Sequence, residues 1–160
     1  MNRIFSLAGL ILFFSIAADV AGQPARKSAS RNAKTIAAVR AVLDAQRDAW
    51  NRGDVDGYMD GYARSKDTVF VSGDNVTRGW QTVLDRYKKN YNSRAKMGTL
   101  TFSDLEITPV GNDAAIVLGR WQLQRATDEP HGRFTLIFRR TRQGWKIVHD
   151  HTSEAPPEKP

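Results

Sequence analysis

The spacing of hydrophobic and polar residues changes part-way along this chain, from a helical repeat to the alternation of strands. In residues 35–51 apolar side chains recur every three or four positions, which predicts a helix with one buried face. We expect a second, short helix after Asp54, which can cap it, and a third helix that begins at Thr77 or Arg78. Between them, the β-branched and aromatic run at residues 68–72 predicts a strand.

The pattern changes to that of strands after the third helix. Phe102 and Leu105 interrupt the alternation of the first strand, which indicates a bulge or bend in the sheet. Helices followed by consecutive strands predict an α+β fold, with the helices packed on one face of a curved antiparallel sheet. The four predicted strands span residues 99–108, 114–125, 133–140 and 145–151.

The first residues have the composition of a signal peptide. Arg3 precedes an uncharged apolar run at 4–18, and small residues lie before Gln23. The run is shorter than the ~20 residues of a membrane-spanning helix. We therefore expect residues 1–22 to be cleaved, the protein to be periplasmic or secreted, and no stable membrane insertion; an uncleaved anchor is the alternative.

Charge and composition divide the rest of the chain. The net charge is +7, and four of these positive charges lie in residues 23–34, which we interpret as a basic linker. This segment has no aromatic residue for base stacking, so we expect no nucleic-acid partner. The domain is predicted at 35–153 and a proline-rich tail at 154–160. The absence of cysteine excludes disulfides, thiol nucleophiles and cysteine-ligated metals.

Two segments carry a resemblance to a known family. The sequence Ala-Trp-Asn-Arg-Gly-Asp at 49–54, together with the order of elements, resembles the nuclear transport factor 2-like superfamily, in particular its SnoaL-like and ketosteroid-isomerase-like branch. The segment 145–153, followed by Ala-Pro, is similar to the last strand of the association domain of calcium/calmodulin-dependent protein kinase II. The resemblance implies a cone-shaped fold, with about three N-terminal helices on a curved antiparallel sheet. Because this fold hosts isomerases, cyclases, dehydratases and oligomerisation modules, it leaves open whether the chain is an enzyme.

The last predicted hairpin suggests two catalytic candidates. A two-residue turn at 142–143 would place His149 and His151 on the apolar, cavity-facing side of the sheet, and Asp150 on the other side. A histidine in such a position can act as a general acid or base. A purely structural, hydrogen-bonded histidine is the alternative.

A third catalytic candidate is Asp60, which lies on the same predicted helix as Tyr58 and Tyr62. Its spacing also fits a solvated helix face, which is the alternative. His131 could join His149 and His151 around zinc. No acidic residue clearly completes that ligand set, so we expect neither a metal nor another cofactor.

Ligand-binding candidates combine a cation with aromatic side chains. Arg120 interrupts the apolar stretch at 116–123, so it either binds a ligand or contacts another subunit. The kinase association domain carries an arginine in the corresponding strand, directed to its cavity, and the resemblance therefore implies the ligand-binding role. The helical aromatic residues form either a pocket lining or simply core. They are Trp50, Tyr58, Tyr62, Trp80, Tyr87 and Tyr91.

These features favour a domain that binds a small polar or anionic organic ligand in a single cavity. A cofactor-independent isomerase or dehydratase of the ketosteroid isomerase type is one alternative, and a structural oligomerisation module is another. The sheet face that carries Thr135, Ile137 and Val148 mixes apolar with polar side chains. Because the helices would cover the opposite face, we expect a homodimer through this one.

Overall fold

The computed structural model describes residues 22–156, and the side chains from residue 25 onward. The predicted signal peptide, up to residue 21, and residues 157–160 of the predicted tail lie outside this range. The helices are α1 (Gly22–Asn51), α2 (Val55–Met59), α3 (Trp80–Asn90) and α4 (Arg94–Met97). The strands are β1 (Val69–Ser72), β2 (Asn75–Arg78), β3 (Thr99–Val110), β4 (Ala114–Gln124), β5 (His131–Thr141) and β6 (Gly144–Glu154).

Helix α1 begins thirteen residues before the predicted start at Thr35 and includes the segment that we interpreted as a linker. Pro24 lies in its first turn, where proline is tolerated because the missing N–H would have no helical partner. Most side chains between residues 25 and 34 are exposed, whereas Thr35 is buried. The amphipathic pattern therefore starts only where the helix begins to pack, although the helix itself starts earlier.

The corner between α1 and α2 forms as the sequence predicts. Gly53 adopts a φ of 87°, its N–H donates to Trp50 O over 2.8 Å, and Asp54 N–H donates to Ala49 O over 2.9 Å. These two bonds close α1 with the left-handed glycine that commonly ends helices. The Asp54 carboxylate then accepts a 2.7 Å bond from Gly57 N and so caps α2.

One six-stranded sheet has the order β2-β1-β6-β5-β4-β3. The predicted antiparallel meander is confirmed in β3–β6, but β1 pairs in parallel with β6, so the sheet is mixed. Residues 75–78 form β2 and not the start of the third helix, because the turn at Gly73 and Asp74 folds them back onto β1. Local pattern alone does not specify the remote partner of so short a strand.

Two irregularities bend the sheet. The predicted irregularity in β3 is confirmed by a register shift between Ser103 and Glu106, where Asp104 has a φ of 50°. A second shift lies in the last hairpin, where Phe138 pairs with Ile147 but Ile137 pairs with His149. Strand β6 therefore has one extra residue, Val148, and the faces of all residues after it are reversed.

The helices cover the concave face of the sheet, and the main core lies between them. Buried side chains from α1 and α3 meet those of β3–β6, among them Leu43, Val83, Val117 and Phe138. The opposite face is open and exposes Ile116, Leu118 and Ile137. Within residues 22–156, no helix is long and apolar enough to cross a membrane.

Candidate functional site

A pocket of about 130 Å³ lies between the helices and the concave face of the sheet. Apolar and aromatic side chains form most of its wall, and polar groups are concentrated on β6 and α3. A site of this kind, with an apolar wall and a few polar groups, is the usual form of a small-molecule pocket. Its lining comprises Leu43, Gln46, Trp50, Tyr58, Tyr62, Phe70, Ser72, Arg86, Tyr87, Asn90, Tyr91, Leu100, Phe102, Trp121, Leu123, Phe134, Leu136, Ile147, Asp150, Thr152, Ser153 and Glu154.

Asp150 places a carboxyl group in this wall. It lies on β6 between Phe70 of β1 and Leu136 of β5, and it is only 5% exposed. Its Oδ2 accepts a 2.6 Å hydrogen bond from the hydroxyl of Tyr62. Its Oδ1 is buried and has no hydrogen-bond partner among the residues that the structure describes. One carboxyl oxygen is therefore held by Tyr62, and the other is a buried acceptor without a partner in the described part of the chain.

The backbone holds Tyr62 beside Asp150. After α2 the chain runs along β6, where Ile147 N–H donates to Gly61 O over 2.9 Å and Ala63 N–H donates to Ile147 O over 2.8 Å. Because Gly61 and Ala63 flank Tyr62, these two bonds hold Tyr62 against β6, and its side chain lies on the face of β6 that bears the carboxyl group. Tyr62 itself is 1% exposed. The pair is therefore preorganised by ordinary main-chain bonds.

Burial changes the acidity of this carboxyl group. Removal of Asp150 from water raises its pKa to about 7, from an ordinary value of 3.8, because the ionised form loses its hydration. The hydrogen bond from Tyr62 favours the ionised form and opposes part of this rise. Near neutral pH, Asp150 thus exists in both protonation states, which is the condition for exchanging protons with a ligand.

Four tyrosines and Trp50 form one part of the aromatic wall of the pocket. Trp50 contacts Tyr58 edge-on at 5.1 Å between ring centroids, and Tyr87 lies 5.2 Å from Tyr58 and 5.7 Å from Tyr91. Burial raises the pKa of Tyr58, Tyr62 and Tyr87 well above the ordinary value, and that of Tyr91 also rises. Their hydroxyls therefore stay protonated at neutral pH and can donate hydrogen bonds.

Sequence comparison assigns the fold to a family. A family model described as a SnoaL-like domain matches residues 39–157. This chain belongs to the SnoaL-like domain family. A solved nuclear transport factor 2-like protein of unknown function from Shewanella oneidensis is 39% identical, with a TM-score of 0.72, and the match covers 74% of this chain and 98% of that one. None of the curated proteins matches this SnoaL-like domain.

More distant solved structures share the fold. A ketosteroid isomerase-like protein from Erwinia carotovora is 19% identical with a TM-score of 0.61, over 76% of this chain and 96% of that one. A putative association domain of calcium/calmodulin-dependent protein kinase II from Xanthomonas campestris is 16% identical with a TM-score of 0.60, over 75% and 87%. The resemblance inferred from residues 49–54 and 145–153 is therefore confirmed at the level of fold.

The two histidine candidates lie outside the pocket of this SnoaL-like domain. His149 pairs with Ile137 and His151 pairs with Thr135, on the open face of the sheet. The expectation that they face the pocket is wrong because the extra residue in β6, Val148, turns Asp150 inward in their place. Among residues 22–156, no three His, Asp or Glu side chains are grouped as metal ligands would be.

Two further candidates, Arg120 and Asp60, also lie outside the pocket. Arg120 pairs with Arg133 on the open face of the sheet, since the alternation of β4 turns its neighbours Gly119 and Trp121 inward. The expected cavity-facing orientation of this arginine is therefore wrong. Asp60 is exposed and forms a 2.7 Å ion pair with Arg64, as a solvated helix-face residue would.

The aromatic candidates divide into two groups. Trp80 is held outside the pocket, where its Nε1 donates a 3.0 Å bond to Met59 O and the Arg64 guanidinium stacks 4.4 Å from its ring. The other five aromatic candidates all line the pocket. They are Trp50, Tyr58, Tyr62, Tyr87 and Tyr91.

Several lining residues of this SnoaL-like domain are not among the candidates predicted from sequence. A regular register without the bulge places Asp150 on the open face of the sheet, and this expectation is wrong. The bulge leaves no periodic signal in a strand this short. Trp121 could have been found, because it lies on the inward side of β4 together with Val117 and Leu123. Arg86 lies one position before Tyr87 on α3, and a charged residue beside an apolar stripe gives no sequence signal that it lines a pocket.

Proposed function

We propose that this SnoaL-like domain binds a small polar organic molecule in its pocket, through a hydrogen bond to Asp150. The carboxyl group of Asp150 carries this proposal, because it is buried in the pocket wall with Oδ1 unpartnered among residues 22–156. A buried polar atom without a partner costs about 1–3 kcal/mol. A bound hydroxyl or amine would recover that free energy.

The size of the pocket limits the ligand. A cavity of roughly 150 Å³ in another protein holds one benzene molecule, and the volume here is about 130 Å³. The ligand is therefore a molecule with one small ring or a short chain. The aromatic wall of Trp50, Tyr58 and Tyr87 suits its apolar part.

Binding is tested with small phenols and short-chain alcohols, followed by ligand-observed NMR on the wild type and on Asp150→Asn. Loss of the carboxylate acceptor should weaken binding by roughly 10-fold or more, as expected for a hydrogen bond to a charged group. Asp60→Asn is the matched control, since it removes an exposed carboxylate on the outside of the domain. Equal binding by the wild type and by Asp150→Asn would reject the proposal.

A second candidate function is a cofactor-independent isomerase or dehydratase. The pKa of Asp150 near 7 favours it, because such a carboxyl group can take a proton from carbon and return it at neutral pH. A protonated tyrosine hydroxyl would hold the carbonyl oxygen of the substrate while Asp150 moves the proton between two carbons. The ketosteroid isomerase-like name of one structural neighbour is consistent with this chemistry.

Catalysis is tested by deuterium exchange into the carbon positions beside the carbonyl of small cyclic ketones in D₂O. Asp150→Asn should lower the exchange rate by roughly 10²–10⁴-fold, the usual contribution of a general base. His149→Gln should leave the rate unchanged, because this side chain lies on the open face of the sheet. Exchange that depends on His149 and not on Asp150 would refute this assignment.

Assembly and export remain proposals that rest on separate observations. The open sheet face places Ile116 opposite Ile137, with Leu118 nearby, and all three are at least 37% exposed. We infer that a second copy of the chain covers this face. The composition of residues 1–22 still supports export. If the pocket bound nothing, such a dimer would favour the structural oligomerisation module.

A further inference from the structure

Arg86 adds a positive charge to the pocket wall. It projects from α3, it is half-buried, and it forms no ion pair with any carboxylate of residues 22–156. Lys88, two residues further along the same helix, is paired with Asp56 at 2.8 Å. Lys88 thus has a counterion, whereas Arg86, which lines the pocket, has none among the described residues.

The surroundings of Arg86 leave its hydrogen-bonding edge free. Its guanidinium carbon lies 5.3 Å from the centroid of the Phe70 ring, within the range of a cation–π contact. A guanidinium in such a contact still has N–H groups that can form a fork matching a carboxylate. A half-buried cation without a counterion is unfavourable, and an anionic ligand would supply that counterion.

Phe70 is a neighbour of both Arg86 and Asp150. Phe70 is the partner of Asp150 in the parallel β1–β6 register, and both side chains are buried on the pocket side. The cation and the carboxyl group thus lie in the same part of the pocket wall. A ligand that contacts both must carry an anionic end and a second polar group.

We propose that the pocket accepts a small organic acid, with its carboxylate on Arg86 and a hydroxyl or carbonyl group on Asp150. This inference rests on the proposed function, since it requires the pocket to be a ligand site. It names the substrate class that this function left open. Glu154 also lines the pocket and carries the opposite charge, so the comparison of acids with neutral amides measures which of the two charges dominates.

The test compares three acids with their neutral amides. The acids are benzoate, 4-hydroxybenzoate and hexanoate, and the amides are benzamide, 4-hydroxybenzamide and hexanamide. Dissociation constants are measured by ligand-observed NMR at pH 7 for the wild type and four variants. The variants are Arg86→Gln, Arg86→Lys, Lys89→Gln and Asp150→Asn.

The wild type should bind at least one acid roughly 10- to 100-fold more tightly than its amide, as a charged hydrogen bond predicts. Arg86→Gln should abolish that difference, and Arg86→Lys should retain part of it because the charge remains. Lys89→Gln is the matched control, since this exposed lysine lies on the same helix outside the pocket. It should leave the difference unchanged.

Two results would overturn the inference in different ways. If acids and amides bound equally, and Asp150→Asn alone weakened the hydroxyl compounds, the organic-acid class would be wrong and the proposed function would stand. If none of the six compounds bound the wild type, both would fail. Should Arg86→Gln not fold, the preference of the wild type for acids over amides still decides the question.

Discussion

Replacement of Asp150 by asparagine should change the pH dependence of stability in a defined direction. Asparagine keeps the shape of the side chain and stays neutral at every pH. In the wild type, the ionised carboxylate is disfavoured by burial, which raises the pKa of Asp150 to about 7. The variant should therefore be more stable than the wild type wherever the wild-type group must ionise.

The sign and the size follow from linkage between folding and protonation. Between pH 3.8 and about 7 the folded state holds a proton that the unfolded state has released, so wild-type stability falls as the pH rises through this window. Above about pH 7 both states are ionised, and the loss is complete. A change in pKa of this size corresponds to about 4 kcal/mol, since each tenfold change in acidity is ~1.4 kcal/mol.

Urea unfolding followed by tryptophan fluorescence measures this difference at pH 4, 6 and 8. The free energies of unfolding of wild type and variant should be similar at pH 4. The variant should gain progressively, up to about 4 kcal/mol at pH 8, less any loss from its altered bond with Tyr62. Other carboxylates titrate alike in both proteins and cancel in the comparison.

The matched control for this experiment is Asp60→Asn. Asp60→Asn removes an exposed carboxylate, whose ion pair with Arg64 is worth ~1 kcal/mol or less, so its effect should change little over this pH range. If Asp150→Asn differed from the wild type by the same amount at pH 4 and pH 8, Asp150 would not be a buried carboxyl group of raised pKa. The site as described would then be wrong.

Three further predictions concern the site, the assembly and the export of the protein. Tyr62→Phe removes the hydrogen bond that favours ionised Asp150, so the pKa of Asp150 should rise further. The free energy of unfolding at pH 8 should fall by about 1–3 kcal/mol. Carbon-detected NMR titration of the carboxyl group measures the pKa. Light scattering at tens of micromolar should detect a wild-type dimer that Ile116→Lys converts to monomer, and a monomeric wild type would contradict the proposed interface. Intact mass of exported protein should place its first residue near Gln23, whereas a mass that includes residues 1–22 would exclude cleavage.

Local patterns predicted those parts of the fold that depend on local interactions. The helix corner at Gly53, the four-strand meander and the irregularity near Asp104 all follow from residue type and period. The parallel partner of β1 was not predicted, because pairing between residues far apart in sequence has no local signature. The part of α1 before Thr35 was also not predicted. Its residues are mostly exposed and form no packing face, so they show no amphipathic pattern.

The candidate site was only partly predictable, and one residue explains why. The aromatic wall was found, since helical periodicity places Trp50, Tyr58 and Tyr87 on buried faces. The turn at residues 142–143 and the pairing of Ile147 were also correct. The extra residue Val148 then reverses the faces of all later residues in β6. The titratable side chain that enters the pocket from this strand is therefore Asp150 and not a histidine.

The most direct test of the account is a high-resolution crystal structure of the protein with the tightest-binding compound from the NMR panels. We predict density in the pocket between α3 and β6, with a polar ligand atom roughly 2.6–3.2 Å from Asp150 Oδ1, the range of an ordinary hydrogen bond. A ligand bound elsewhere, with Asp150 Oδ1 still lacking a partner, would contradict the central claim that this carboxyl group holds the ligand.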